Sequence, residues 1–354
     1  MLKASCKIFL SVAFAFFLWG CDDSTPWNSP YGDQAETKKV RYTSFTEPIL
    51  TLDPAKAYTD TAHTILSQVY ESPLQYHYLK RPYMLDPLIL TKVPSPVFYD
   101  HLHQQLPMNA DHTKIAYTLY HLTLKHGLRF APHPAFAKDT QGHFRYHAMH
   151  AKDWRGKKNL KDFRYKATRE LEAGDLAYAI KRLASPKVNC PIYGVLADYI
   201  LGFRGLRSQL KMQKGKPFLD LRKFSLEGVE VIDRYHLNIT IKGEYPQFLA
   251  WLSMGFFSPI PWEVDAFYSQ KGMSRRNLSF DWYPVGTGPY QLTEHNPNRR
   301  MVLDRNPEYH HGVFPAEGSP GDGDRGYLKK AGLPLPFIDK LYVSLEKESI
   351  PRWA

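Results

Sequence analysis

Two stretches of the chain contain residues whose types and spacing could do chemistry. In the first, VGTGPYQL, Gly286 and Gly288 flank Thr287, and glycine pairs of this kind can cradle phosphate groups. No Lys-Ser or Lys-Thr pair follows, and Pro289 leads into a strand pattern, so the stretch fails as a phosphate loop. The missing third glycine excludes a dinucleotide-binding fingerprint. We instead expect the two glycines to supply backbone freedom at a tight turn.

The second stretch is HFRYHAMH, in which His143, His147 and His150 are spaced i, i+4 and i+7. On a helix these imidazoles would share a face and could bind Zn²⁺ or Cu²⁺. The alternative is a polar loop that contains histidines by chance, in a chain with 15 of them. The cluster holds no Cys or acidic residue, and its composition does not favour a helix. The sequence therefore favours the loop and predicts no metal site.

Other signs of catalysis are absent from the sequence or cannot be located in it. The chain has no G-x-S-x-G nucleophile elbow and no H-E-x-x-H zinc motif. Acidic pairs such as Glu227 with Glu230 cannot be placed together from sequence alone. We therefore predict that the protein is not an enzyme, has no catalytic residues and needs no cofactor.

The overall composition is that of a globular protein. The chain has 354 residues, of which 43% are hydrophobic and 23% charged, enough for two or three domains. Aromatic residues make up 14%, which favours β-rich layers. The net charge is +11, but the Lys and Arg residues are scattered along the sequence. We read this charge as a solvated basic surface and expect no nucleic-acid partner.

The amino terminus predicts a targeting segment. Lys3 and Lys7 precede an apolar run, residues 8–18, that is too short to span a bilayer and has the length of a signal-peptide core. Gly20 then stands directly before Cys21, an arrangement that resembles the bacterial lipobox.

This pattern predicts a lipoprotein signal peptide at residues 1–20 and lipidation of Cys21. The alternative is an ordinary signal peptide in which Cys21 is incidental. Asp22 resembles the signal that retains bacterial lipoproteins in the inner membrane. Residues 21–39 are polar and turn-rich and predict a flexible tether. The expected location is therefore the periplasm, with a lipid anchor in the inner membrane.

Hydrophobic periodicity predicts the elements of the remaining chain. Apolar residues from Ala62 to Tyr70 recur at helical spacing, with Thr59 or Asp60 as the cap. Further helices are expected at 176–184 and 246–255. Strands are expected at 40–45, 115–125, 229–233, 235–242, 301–305 and 337–345, and one begins at Tyr290. Irregular structure is expected at 82–107, 131–170 and 312–336.

Several stretches, taken in chain order, resemble the family 5 extracellular solute-binding proteins. These are the peptide-, dipeptide-, nickel- and heme-type substrate-binding components of bacterial ABC importers. The most specific match is PVGTGPY, residues 284–290, which follows the family pattern almost letter for letter. The other matching stretches are EP at 47–48, TLDP at 51–54, 69–74, 117–130, 172–186, 228–248, NPEY at 306–309 and IDK at 338–340.

The resemblance implies an α/β fold like that of the periplasmic binding proteins, a type II clamshell with an extra domain. The first main lobe would be discontinuous and comprise residues 40–72 and 243–345. Residues 73–242 would form the extra small α+β domain. Residues 131–170 and 312–336 stand out as insertions relative to the family pattern.

The resemblance also concerns the end of the chain. In the family, the position of residues 346–354 is the start of a hinge into the second main lobe, and that lobe is largely missing here. A cleft needs two walls to bury a ligand, so we expect weak or no ligand binding by this chain alone. The expectation is either a truncated gene product or one half of a pair with a separately encoded C-terminal half.

By the same resemblance, Tyr58, Thr59 and Asp60 would face the ligand, whereas simple capping of the following helix is the alternative. The implied function is substrate binding for an ABC-type importer, with an oligopeptide or similar small ligand and an inner-membrane ABC permease as partners. Two other hypotheses remain open. One is a non-transport structural or interaction lipoprotein built on the surviving lobe, and the other is a His-rich metal-binding envelope protein.

Overall fold

The computed structural model describes residues 39–213, 215, 217–296 and 299–346. The predicted signal peptide, the lipidation site Cys21 and nearly all of the predicted tether lie outside the described residues. The predicted hinge also lies outside them, apart from Glu346.

The described strands are short and form three sheets. In chain order they are β1 (Val40–Phe45), β2 (Leu74–Tyr76), β3 (Leu85–Pro87), β4 (Pro96–Tyr99), β5 (Gln105–Leu106), β6 (Tyr117–Thr123), β7 (Val229–Val231), β8 (His236–Lys242), β9 (Tyr290–Asn296), β10 (Arg300–Arg305) and β11 (Lys340–Leu345). One sheet has the order β1-β11-β10-β9, the second is β2-β3, and the third has the order β5-β4-β6-β8-β7.

The helices pack around these sheets and supply much of the core. They are α1 (Asp60–Val69), α2 (Ala173–Leu183), α3 (Tyr193–Tyr199), α4 (Phe203–Met212), α5 (Phe248–Trp251), α6 (Trp262–Tyr268) and α7 (Lys271–Ser274). Within the described part of the chain, none of them has both the length and the apolar composition needed to cross a membrane.

The prediction for α1 is confirmed. The Thr59 hydroxyl accepts a hydrogen bond from the Ala62 N–H at 3.3 Å and so satisfies one of the unpaired donors at the start of the helix. Its apolar positions Ala62, Ile65, Leu66 and Val69 are all buried. The helical spacing in the sequence therefore marks the face that packs against the core.

The prediction for α2 is also confirmed. Glu172 stands at its N-cap, and the Asp175 carboxylate accepts a hydrogen bond from the Glu172 N–H at 3.0 Å. The helix ends at Leu183, three residues before Pro186, which cannot continue a helix.

The expected hairpins are present. β7 pairs antiparallel with β8, and β9 pairs antiparallel with β10. The strand expected at 115–125 is shorter, because β6 covers only Tyr117–Thr123. Residues 131–170 contain only short 3₁₀ turns and isolated bridges, as the irregular pattern predicts.

The prediction of irregular structure at 82–107 is wrong, because β3, β4 and β5 lie there. These strands are two to four residues long, and proline stands at the end of β3 and the start of β4. Proline is tolerated at the first residue of a strand. Segments this short show no alternation that sequence reasoning could detect.

The five-stranded sheet lies wholly within residues 73–242, and the four-stranded sheet uses only strands from 40–45 and 290–345. The division into a discontinuous main lobe and an extra domain itself stays a prediction.

The VGTGP segment packs against the C-terminal end of α1. The Gly288 N–H donates to the Val69 carbonyl at 2.9 Å, and the Val285 N–H donates to the Tyr70 hydroxyl at 3.1 Å. A Cβ atom on Gly286 would lie 2.2 Å from the Val69 oxygen, and one on Gly288 would lie 2.7 Å from it. Glycine is needed at both positions, because the backbone of this segment lies close to the backbone at the end of α1.

The expectation that these glycines supply backbone freedom at a turn is wrong. Neither Gly286 nor Gly288 has a φ in the left-handed region. Their role is to leave space where a side chain would collide with α1. Thr287, between them, donates its hydroxyl to the buried Glu71 carboxylate at 2.7 Å, which ties the segment to the residues that follow α1.

A buried ion pair joins the TLDP turn to α2. Arg182 donates to the two carboxylate oxygens of Asp53 at 2.6 and 2.7 Å, and both side chains are buried. Burial alone would raise the pKa of Asp53, but the charge and hydrogen bonds of Arg182, together with Lys56, lower it below its ordinary value. The carboxylate therefore stays ionised and keeps the pair intact at neutral pH.

We predict opposite effects for two Gly→Ala substitutions. Gly286→Ala should lower the free energy of unfolding by about 3 kcal/mol, because the added Cβ collides with the Val69 carbonyl. Gly205→Ala, in α4, meets no atom within 4 Å and should raise stability by up to about 1 kcal/mol through helix propensity. Urea unfolding followed by circular dichroism measures both. Equal changes in stability would contradict the conclusion that glycine is required at position 286 because the segment lies close to Val69.

A second prediction concerns the ion pair. Arg182→Met should lower the free energy of unfolding by about 3–5 kcal/mol, because Asp53 is left buried without a counter-charge. The matched control is Arg204→Met, which breaks an exposed pair with Asp198 and should change the urea midpoint little. Similar losses of stability in the two variants would show that burial of the Asp53–Arg182 pair does not increase its contribution.

Candidate functional site

A cavity of about 350 Å³ lies beside α1, and we call it the α1 cavity. Three segments line it: the solvent side of α1, the β2–β3 hairpin and residues 253–258. Its polar lining includes the His63 imidazole together with Ser67, Gln68, Gln75, Tyr76, Tyr78 and Ser258. This is a mixed surface of hydroxyls, amides and aromatic rings.

The start of α1 is held by the turn that precedes it. The Leu52 N–H donates to the Asp281 carbonyl at 2.8 Å, and the Asp53 carboxylate accepts from the Ala55 N–H at 3.1 Å. Lys56 contacts the Asp281 carboxylate at 3.0 Å. These contacts fix the direction in which the chain enters the helix.

The three residues predicted to face a ligand lie at this entry. Tyr58, Thr59 and Asp60 are all exposed. The Tyr58 ring lies 6.3 Å from the ring of Phe256, centroid to centroid, beside the segment that lines the cavity. Thr59 acts as the helix cap, and Asp60 stands in the first turn, where a carboxylate favours the helix dipole. Ligand contact by these residues stays a prediction.

Ser258 is a lining residue that the sequence did not identify. It is 1% exposed, and its hydroxyl has no hydrogen-bond partner among the residues that the structure describes. Buried hydroxyls are normally bonded, because an unpaired one loses its bonds to water. Nothing in the segment FFSPIP marks this position, since only the packing around it decides its burial.

The lining of the α1 cavity carries no carboxylate and no Lys or Arg. Burial raises the pKa values of the Tyr70 and Tyr78 hydroxyls, so both stay protonated at neutral pH. Apart from the His63 imidazole, the wall therefore offers neutral donors and acceptors beside aromatic surface. Such a wall can hold an extended chain through its backbone groups without selecting for side-chain charge.

The histidine stretch forms no comparable site. His147 lies 2.9 Å from the Ala135 carbonyl and stacks on Phe144, while His143 faces Asp139 at 3.7 Å. Across the described ranges of the chain, no group of three or more His, Cys, Asp or Glu side chains is arranged to hold a metal ion. The three histidines at i, i+4 and i+7 do not share a helical face, because this segment is not helical.

Comparison with known proteins shows what this chain is similar to. The family model described as bacterial extracellular solute-binding proteins, family 5 Middle, matches residues 160–333. The periplasmic oligopeptide-binding protein OppA of Salmonella typhimurium is 29% identical over 147 residues, 39% of this chain and 23% of that protein. The predicted resemblance to the family 5 bacterial extracellular solute-binding proteins is confirmed.

Solved structures of this family have the same fold. OppA of Burkholderia pseudomallei matches with a TM-score of 0.52 at 15% identity, covering 91% of this chain and 44% of that one. OppA of Listeria monocytogenes, bound to peptide, matches with a TM-score of 0.53 at 12% identity, covering 89% and 44%. The prediction of an α/β, periplasmic-binding-protein-like fold is confirmed, and the chain spans less than half the length of these solved relatives.

We predict that Thr59 stabilises the start of α1 through its capping hydroxyl, whereas Tyr58 does not contribute to stability. Thr59→Ala should lower the free energy of unfolding by about 1 kcal/mol, because the cap bond to Ala62 is lost. Thr59→Ser keeps the capping hydroxyl and should retain stability. Tyr58→Ala should have little effect on stability, because its side chain is 74% exposed. Thermal unfolding measures the stability of all three variants. A large loss of stability in Tyr58→Ala would show that this ring has a structural role.

Proposed function

We propose that this chain is a substrate-binding component of a bacterial ABC-type importer and that its ligand is a peptide. The relatives named above are oligopeptide-binding proteins, and one solved neighbour holds a peptide. The observation that carries the proposal for this chain is the aromatic wall of the α1 cavity, which has no carboxylate, Lys or Arg, beside Tyr58, Thr59 and Asp60. The role is binding without catalysis.

The chemistry of the wall suits a peptide backbone. Peptide groups are neutral and alternate donors with acceptors, which the Gln68 and Gln75 amides and the serine hydroxyls can match. The rings of Tyr76 and Tyr78 are about half exposed and offer apolar area to side chains. The unpartnered hydroxyl of Ser258 would gain a partner on binding.

The proposed partners follow from this role. An importer component works in the periplasm and delivers its ligand to an ABC permease in the inner membrane. We propose that lipidation of Cys21 holds the chain at that membrane. Because the α1 cavity is partly open to solvent, we expect weak affinity for peptides.

The sharpest test uses Ser258→Ala. This substitution removes a buried hydroxyl without a partner, so the unliganded protein should gain about 1 kcal/mol in unfolding free energy. Peptide binding should weaken about tenfold, because the ligand loses that bond. Urea unfolding gives the first quantity, and calorimetric titration with pooled tri- to pentapeptides that have blocked termini and uncharged side chains gives the second.

Tyr58→Ala should also weaken peptide binding, whereas the matched control Tyr327→Ala, an exposed tyrosine in the 312–336 insertion, should not. If no peptide pool releases heat or raises the melting temperature of the wild-type chain, the binding function is wrong. A pull-down that recovers envelope proteins other than an ABC permease would then favour the structural or interaction role.

A further inference from the structure

A second cavity, of about 290 Å³, lies between the 131–170 insertion and the β9 strand, and we call it the insertion cavity. Residues 131–134 and 159–166 contribute to one side, and residues 283–285 with 291–295 contribute to the other. It shares no lining residue with the α1 cavity. Part of its wall therefore comes from a segment that stands out from the family pattern.

The charged groups at this cavity leave a net positive rim. Lys161 and Lys166 line it and are exposed, and among the described residues neither has a carboxylate within ion-pair distance. Glu294 is the carboxylate in the lining, and Arg300 holds it through two bonds of 2.9 and 3.2 Å. Those bonds lower the pKa of Glu294 and occupy its oxygens. Lys161 also interacts electrostatically with Glu294, so Lys161, Lys166 and Glu294 together leave one net positive charge in the lining.

The imidazoles in the lining add no charge. Burial lowers the pKa of His133 to about 3 and that of His295 to about 4, so both are neutral at pH 7. The His133 Nδ1 accepts from the Ala135 N–H at 3.2 Å, so Nε2 carries the proton and donates to the Tyr268 hydroxyl at 3.0 Å. His133 is therefore held as a fixed, neutral part of the wall.

The rest of the lining is largely apolar. The ring of His295 packs against Trp282 at 4.9 Å and against Tyr283 at 6.4 Å, centroid to centroid. Pro132, Pro134 and Pro284 line the same space and have no N–H to offer a ligand. The cavity thus combines an apolar and aromatic floor with the ammonium groups of Lys161 and Lys166 at its rim.

We propose that the insertion cavity binds a small organic anion, an aryl- or alkyl-substituted carboxylate whose apolar body rests on the floor and whose carboxylate meets Lys161 and Lys166. The volume stands near the lower limit for small-molecule sites, which excludes ligands of nucleotide size. A peptide with blocked termini and uncharged side chains would leave both lysines unpaired, so this site and the proposed peptide site select different chemistry.

The test compares acids with their amides. Phenylacetate, 3-phenylpropionate and 4-phenylbutyrate are titrated into the whole protein by ligand-observed NMR, each beside its uncharged amide of nearly the same shape. We expect at least one acid to bind and its amide to bind more weakly. Lys161→Gln with Lys166→Gln should weaken binding of the acid by about 5- to 25-fold, because each exposed ion pair is worth up to about fivefold.

The matched control removes two other lysines of the same insertion. Lys152→Gln with Lys158→Gln makes the same change in net charge at exposed positions outside the cavity lining, and it should leave binding unchanged. The proposal is overturned if acid and amide bind equally, if the Lys161 and Lys166 variant binds like the wild type, or if no acid binds with a Kd below about 10 mM. Peptide titration of the same variant reports separately on the α1 cavity.

Discussion

The buried pair of Asp53 and Arg182 is the constraint on which much of the architecture depends. It joins the turn before α1 to the last turn of α2, across 129 residues of sequence. The two buried charges are tolerated because each carboxylate oxygen of Asp53 accepts a hydrogen bond from the Arg182 guanidinium. The pair therefore sets where α1 starts, and the position of α1 decides which side chains face the α1 cavity.

The VGTGP segment fixes the other end of α1. Its glycines allow the backbone to lie against Val69, and the Val285 N–H reaches the Tyr70 hydroxyl. Tyr70 lines the α1 cavity, and Val285 lines the insertion cavity, so one hydrogen bond links the walls of the two. The VGTGP segment, whose glycine pair resembles that of a phosphate loop, thus connects α1 to the β9–β10 hairpin.

Sequence reasoning succeeded where local patterns carried the information. The apolar spacing of α1 and α2 and the alternation in β8 correspond to elements that exist. It failed for β3, β4 and β5, whose two to four residues are held mainly by cross-strand pairing. It also missed α4, although Phe203, Leu206 and Leu210 carry a helical spacing and are buried.

Ordered motifs in the sequence were enough to indicate the family. The sequence also showed that familiar catalytic motifs are absent. Only the tertiary structure decided why Gly286 and Gly288 are glycines, that Ser258 is buried without a partner, and that Lys161 and Lys166 share a cavity. Burial, close approach and electrostatic pairing all arise between segments far apart in the chain, and no local pattern encodes those distances.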